Sequence, residues 1–221
     1  MKQHSSPQTA ALFDFDETLL AINSSGIGFK VLKDGGYLSR SFMLKMMFSM
    51  MLNKAGIIDE KRMAKTFLTF YKGRELQQFI DSAQGFYDEY LHPNLSPVVT
   101  ERLRWHQGQG HKTVLVTGSI DYYLKPVIDD LGIDHLLCTY LEVDADGLLT
   151  GRSSGPICVG EEKVTLANQL AESQDIDLSI SYAYGNSELD IPMLQLVGHP
   201  VVVNPTPKLA RHAQEHDWPH V

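Results

Sequence analysis

The sequence predicts an α/β fold: an open parallel sheet with helices on both faces, interrupted by an inserted all-helical domain. Three observations carry this. First, three short apolar runs each end in a polar side chain: ALF before Asp14, TVLV before Thr117, and ISYAY before Gly185-Asn186. Runs of that length suit strands buried on both faces. Second, each run is followed by a helix-like segment, the alternation that builds a parallel sheet. Third, about ninety residues between the first two runs show helical periodicity and no strand alternation.

In chain order, the first strand precedes Asp14 and the insertion begins near Ala21. The predicted division is an α/β core of residues 1–21 and 97–221, with a helical cap of residues 22–96. Ser96 as N-cap and Pro97 as first helical residue open SPVVTERLRWHQ, the helix returning to the core. The second strand leads into IDYYLKPVIDDL (120–131), stopped by Gly132. CTYLEVDADGLLTG reads as a hairpin turning at Asp146-Gly147. Residues 160–173 carry apolar positions at 164, 166, 167 and 170 and form a helix. After the third strand, Ser187 caps a short helix through Leu196. HPVVVNP (199–205) is a further strand stopped by Pro205, and TPKLARHAQEH is a terminal helix. Such a Rossmann-like sheet binds ligands beyond the carboxyl ends of its strands, so Asp14, Thr117 and Asn186 are expected to converge there.

With 19 Lys and Arg against 27 Asp and Glu in 221 residues, the net charge is −8. That balance argues against nucleic acid as a partner, or an anionic membrane held through bulk charge, while leaving room for a local basic pocket. Cys138 and Cys158 are too few and too oddly placed for a disulfide framework or zinc site, so a reducing, cytoplasmic location is expected. The opening MKQHSSPQTA is polar where an export signal is apolar, and no stretch approaches the roughly 20 apolar residues of a spanning helix. Oligomeric state is not legible.

One insertion helix stands out. In SFMLKMMFSMMLNK (41–54), Ser41, Lys45, Ser49 and Asn53 form one narrow polar stripe and the rest is apolar, with Met43, Met46, Met47, Met50 and Met51 among it. Two readings stand: a buried helix packed by adaptable methionines, or a surface facing an apolar substrate, a membrane interface or a second subunit.

The chemistry-bearing residues begin with DFDETLL. Asp14 and Asp16 are two apart, so in extended chain both carboxylates face one side. Their repulsion favours a divalent cation between them or a raised pKa on one. Either suits phosphoryl chemistry, one carboxylate attacking phosphorus and the other passing protons; an Asp-rich strand-closing turn is the structural alternative. Thr117-Gly118 offers a hydroxyl and a bared amide for phosphate oxygens, or is a plain turn. Lys163 opens a helix, disfavoured by the dipole unless an anion is near; pairing with Glu161 or Glu162 is the bland alternative. GNSELD places Asn186 and Asp190 as hard oxygen ligands of the kind Mg²⁺ takes, or as a capping cluster. His212, His216 and His220 have helical spacing, but Pro219 intervenes and a solvated terminal helix is preferred to a metal site.

Taken in order, these residues resemble the haloacid dehalogenase superfamily of phosphohydrolases over nearly the whole chain. Asp14 and Asp16 match its first motif, Thr117 its second, Lys163 its third, and Gly185-Asn186 through Asp190 its fourth. A helical cap between the first two motifs is similar to subfamily IB, which includes phosphoserine phosphatases; the tail resembles a branch that includes domains fused to lysophosphatidate acyltransferases. The resemblance implies a two-step phosphomonoester hydrolysis. Asp14 is its nucleophile and Asp16 its acid and base. Thr117, the Gly118 amide and Lys163 hold phosphate, and Mg²⁺ sits on the Asp14 carboxylate, the Asp16 carbonyl and a fourth-motif side chain, Asn186 or Asp190. The implied substrate is a small or lipid-like phosphate ester. Alternatives are a phosphotransferase, or a non-catalytic phosphate-binding module, because the motif's usual Asp is Asn186 and a usual Asn is Leu189. A glutamate that receives the ammonium of phosphoserine falls at Asn23, which demotes that substrate.

Overall fold

A computed structural model describes residues 7–221; the polar stretch MKQHSS that bore on export lies outside them. At its centre is β1 (Ala10–Phe13), flanked in parallel by β2 (Lys112–Ile120) and β6 (Tyr182–Gly185). With β3 (His135–Thr139) beyond β2 and β7 (His199–Val202) beyond β6, the sheet runs β3-β2-β1-β6-β7, wholly parallel. Phe13 pairs in register with Leu115 on one side and Tyr184 on the other. Strands β1 and β6 therefore end at one level, with Asp14 and Asn186 just past them and Thr117 beside Asp14 within β2, which runs on to Ile120.

The pleat sends alternate β1 side chains to opposite faces. Ala11 and Phe13 join Leu103, Leu124 and Leu131, from α5 (Pro97–Gly108) and α6 (Asp121–Leu131). Ala10 and Leu12 join Ala167, Leu194 and Leu209, from α7 (Glu161–Gln174), α8 (Ile191–Gln195) and α9 (Pro207–Glu215). Full burial of each leucine or phenylalanine among them contributes roughly 1.5–3 kcal/mol. The expected punctuation holds: Ser96 Oγ accepts from the Val99 amide with Pro97 at the first position, and Gly132 ends α6 with φ 61°. Ser187 and Asp190 form a reciprocal capping box, so the helix expected from Ser187 is a 3-10 turn (Glu188–Asp190) running into α8.

Three details differ from the sequence reading. Strand β2 continues past Thr117 to Ile120, and β7 stops at Val202, short of Pro205. Strand β3 was not expected, because HLLCT lies at the sheet edge, half-buried over its first three residues, with no alternation to mark it. The expected hairpin is β4 (Leu141–Val143) with β5 (Leu149–Ser153), a separate antiparallel pair. Gly147 takes φ 80° in its turn, and Asp144 Oδ1 accepts from the Asp146 and Leu148 amides.

Between β1 and β2 lie α1 (Ser24–Asp34), α2 (Arg40–Lys54), α3 (Glu60–Leu68) and α4 (Leu76–Phe86), which continues through one wide turn, Tyr87–Leu91. Side chains of Asn23, Ser39 and Asp59 cap the first three. This segment packs through Leu68, Phe70, Tyr71 and Phe79 against Ile120 at the end of β2, Leu141 and Leu149 of the β4–β5 hairpin, and Ile157. Lys61 Nζ reaches Glu162 Oε1 at 2.6 Å, tying α3 to the start of α7. Cys138 and Cys158 are both free and buried. Among the described residues no helix is long and apolar enough to cross a membrane.

Candidate active site

Asp14 follows β1 directly, and its backbone N–H still donates to the Tyr184 carbonyl at 2.9 Å, so the carboxylate is fixed at the sheet's carboxyl edge. It is buried, as are Thr117, Asn186 and Asp190. Lys163, in the first turn of α7, is 3% exposed and its Nζ stands 2.6 Å from Asp14 Oδ1 and 2.6 Å from Asp190 Oδ1. That resolves the dipole problem at this position: the ammonium is held by two carboxylates, and Glu162 pairs elsewhere, with Lys61. Its pKa is raised by both carboxylates, against the cost of burial. Burial, followed by repulsion from Asp190, pushes the Asp14 carboxyl up to about 7 in spite of Lys163.

Asp16 is oriented from two sides. One oxygen accepts from the backbone N–H of Ser24, the first residue of α1, and the other from Ser119 Oγ at 3.1 Å. Burial raises its pKa while the Ser24 and Ser119 hydrogen bonds oppose the rise. A carboxyl held in place with its pKa raised is suited to proton donation.

Thr117 and Gly118 lie within β2, near its carboxyl end. Gly118 has no room for a side chain, since a Cβ there would lie 2.7 Å from Val159 Cγ1, and its carbonyl accepts from Thr139 Oγ1 at 2.9 Å. Thr117 Oγ1 accepts from the Ser119 amide at 3.1 Å. In the 185–190 loop, Asp190 Oδ2 accepts from the Asn186 and Ser187 amides and from Ser187 Oγ at 3.0–3.2 Å. A Cβ on Gly185 would fall 2.6 Å from Asp190 Cβ, so glycine is what lets this carboxylate tuck under the strand. Both Asp190 oxygens are thus engaged, one by Lys163 and one by its own loop.

Four residues here were not expected. Ser119 was within reach, since it shares a strand face with Thr117 two residues earlier. Ser24 and Tyr123, whose hydroxyls are 3.3 Å apart, carried no signal, nor did Glu17. Glu17 adopts φ 58°, a left-handed conformation uncommon for glutamate, and its Oε2 accepts from Asn186 Nδ2 at 3.2 Å. Among the described residues no donor reaches Asn186 Oδ1. The amide oxygen, the Asp14 carboxylate and the nearby Glu17 carboxylate are hard oxygen donors of the type a divalent cation takes, so these residues fit Mg²⁺. Leu189 lies inside the 3-10 turn beside them. Of the histidine series, His212 and His216 bring ligand atoms within 4.8 Å of Glu215 at the outer C-terminal end of α9, without His220.

The profile of haloacid dehalogenase-like hydrolases matches residues 11–195. An inhibition of morphological differentiation protein from Streptomyces azureus is 31% identical over 226 residues, covering 99% of this chain and 80% of that one. A histidinol-phosphatase from Neisseria meningitidis serogroup C is 35% identical over 155 residues, 69% of this chain and 68% of its own. The crystal structure of a Bordetella pertussis protein of unknown function superposes with a TM-score of 0.88 at 26% identity, covering 98% of this chain and 99% of its own.

Proposed function

The chain belongs to the haloacid dehalogenase-like hydrolase family and is a phosphatase of that type; on that premise we propose how it acts. It is a Mg²⁺-dependent phosphomonoester hydrolase working through an aspartyl-phosphate, with residues 1–21 and 97–221 as catalytic core and residues 22–96 as a helical cap. The observation that carries the reading is the Asp14–Lys163–Asp190 chain, which sets a carboxylate and an ammonium together at the carboxyl end of the central strand.

In the first step an Asp14 carboxylate oxygen attacks phosphorus and the bond to the leaving oxygen breaks, Asp16 giving that oxygen its proton. In the second, Asp16 takes a proton from water, the water oxygen bonds to phosphorus, and the bond to Asp14 breaks, releasing phosphate and restoring both carboxyls. Thr117, the Gly118 amide and Lys163 hold the phosphoryl oxygens and offset their charge. Asp14, the Asp16 carbonyl and Asn186 would hold Mg²⁺, which when bound would supply charge neutralisation and orientation. Asp190 we assign to holding Lys163 and the Asn186 loop, because neither of its oxygens is spare. Glu17 returns beside Asn186 the charge that an amide lacks, which supports a working metal site over a lapsed one.

The substrate is a small or lipid-like phosphate ester. Asn23, where a phosphoserine-directed carboxylate is absent, is spent on capping α1, its Oδ1 accepting from the Gly26 amide at 2.9 Å. The hydrogen bond from the Ser24 amide to Asp16 joins the first helix of residues 22–96 to the catalytic carboxyl, which supports a cap that admits substrate by moving and sets Asp16 as it returns. The test is the initial rate of aryl phosphate hydrolysis with Mg²⁺ and with chelator, using Asp14→Asn as blank. Metal-dependent turnover lost in the blank supports the reading; turnover that survives Asp14→Asn or chelation overturns it.

A further inference from the structure

Helix α2 wears its apolar side outward. Leu44, Met47, Phe48 and Met51 follow the i, i+3, i+4, i+7 pattern of a single helical face, and each is 55–62% exposed. Ile57, just past the helix, is 68% exposed. The opposite face holds Met46 and Ser49, both buried, and Ser49 Oγ has no hydrogen-bond partner. Asn53 also turns inward, its Nδ2 donating to the Ile58 carbonyl at 3.1 Å. The helix is therefore rotated against its own composition, with part of the polar stripe packed and the large apolar side chains in water. Contiguous exposure of this kind marks an interaction surface.

Charge says what the surface meets. Residues 24–68, spanning α1 to α3, carry eight Lys and Arg against three Asp and Glu, while the rest of the chain carries eleven against twenty-four. Arg40 and Lys54 lie at the two ends of the apolar stripe, on its side of α2, and both are exposed. Lys30 and Lys33 on α1, and Arg62 and Lys65 on α3, are exposed too. A chain of net charge −8 thus concentrates positive charge around its one exposed methionine-rich helix.

We propose that this face docks on an anionic lipid bilayer. Leu44, Met47, Phe48 and Met51 enter the boundary between headgroups and acyl chains, and the surrounding lysines and arginines meet headgroup phosphates. A second copy of the chain fits less well. Two-fold pairing through this face would set Arg40 and Lys54 and their basic surroundings against the same charges. A head-to-tail contact would not close and would leave one apolar face bare. The docking goes beyond the phosphatase reading and is tested without turnover.

The full chain is sedimented with vesicles of phosphatidylcholine alone and of phosphatidylcholine with phosphatidylglycerol. Binding to the anionic vesicles is expected, weakened by about tenfold or more in Phe48→Ser/Met51→Ser, and likewise by high salt or Arg40→Glu/Lys54→Glu. Because the substituted side chains are exposed, these variants keep the wild-type melting temperature. In Phe48→Trp, indole emission shifts to the blue on anionic vesicles only. Wild-type protein left in the supernatant with anionic vesicles overturns the proposal. So does binding undiminished in Phe48→Ser/Met51→Ser. Self-association abolished by that variant, with no vesicle binding, overturns it in favour of a second copy.

Discussion

Asp14 and Asp190 lie on either side of one ammonium, their Oδ1 atoms each 2.6 Å from Lys163 Nζ. The two carboxylates come from opposite ends of the chain and repel each other in a buried site; Lys163 is what allows both to be buried. Burial, followed by repulsion from Asp190, nevertheless raises the Asp14 carboxyl to about 7, so a second positive charge beside it would favour its ionised form. That is the electrostatic reason to place a cation at Asp14.

Replacing Lys163 by Met leaves both buried carboxylates without their counter-charge. A stability loss of roughly 3–5 kcal/mol is expected in urea denaturation, since breaking a buried ion pair from one side strands the other. Adding Asp190→Asn to Lys163→Met recovers part of the loss. Equal losses in the single and double variants would show that the pairing contributes nothing.

Glu17 separates metal binding from folding. Its φ of 58° is costly for glutamate and free for glycine. Glu17→Gly is expected to raise stability by about 1 kcal/mol while reducing the increase in melting temperature that Mg²⁺ produces. An unchanged Mg²⁺ response in this variant would remove Glu17 from the metal site.

Gly118 and Val159 form a steric pair, with 2.7 Å between Val159 Cγ1 and any Cβ added at Gly118. Gly118→Ala is expected to cost about 1–3 kcal/mol and to slow turnover by displacing the amide opposite the phosphate. In a double-mutant cycle, Val159→Ala restores much of both. Strict additivity would mean the contact is relieved elsewhere.

His106 governs part of the acid sensitivity. Its Nε2 meets Tyr184 Oη at 2.9 Å and its Nδ1 meets His111 Nδ1 at 2.8 Å, with no room for an extra proton between the rings. Burial, His111 and Arg102 bring its pKa down to about 4. Because the unfolded chain takes up that proton near pH 6.5 and the folded one only near 4, the contribution is complete above pH 6.5. It falls by about 3 kcal/mol as the pH drops to 4. The slope of unfolding free energy against pH in that window is therefore shallower in His106→Gln; an identical slope would contradict the assignment.

Much of this was legible in the sequence. Short apolar runs ending in Asp14, Thr117 and Asn186 specify parallel strands, and parallel strands bring those ends together whatever lies between them. Lys163 was legible only in part: a lysine at a helix N-terminus is disfavoured unless an anion is near, but Glu161 and Glu162 offered a local partner, and it was the order of the motifs that pointed to Asp14. The Glu17–Asn186 contact was not, since it depends on a backbone φ of reversed sign and joins residues far apart in the chain. Nor was the rotation of α2: periodicity separates Ser49 from Phe48, but which of them faces inward is decided by the partner helices. Strand β3 escaped because an edge strand buries too little to need an alternating pattern.

The central claim, that Asp14 becomes phosphorylated, is tested most directly by acid quench during steady turnover of an aryl phosphate with Mg²⁺, followed by mass spectrometry of the peptide carrying Asp14. A phosphoryl group on Asp14 is expected, absent in Asp14→Asn and longer-lived in Asp16→Asn, where the second step has lost its base. Turnover with no phosphoryl group on that peptide, in the wild-type chain and in Asp16→Asn alike, would contradict the account.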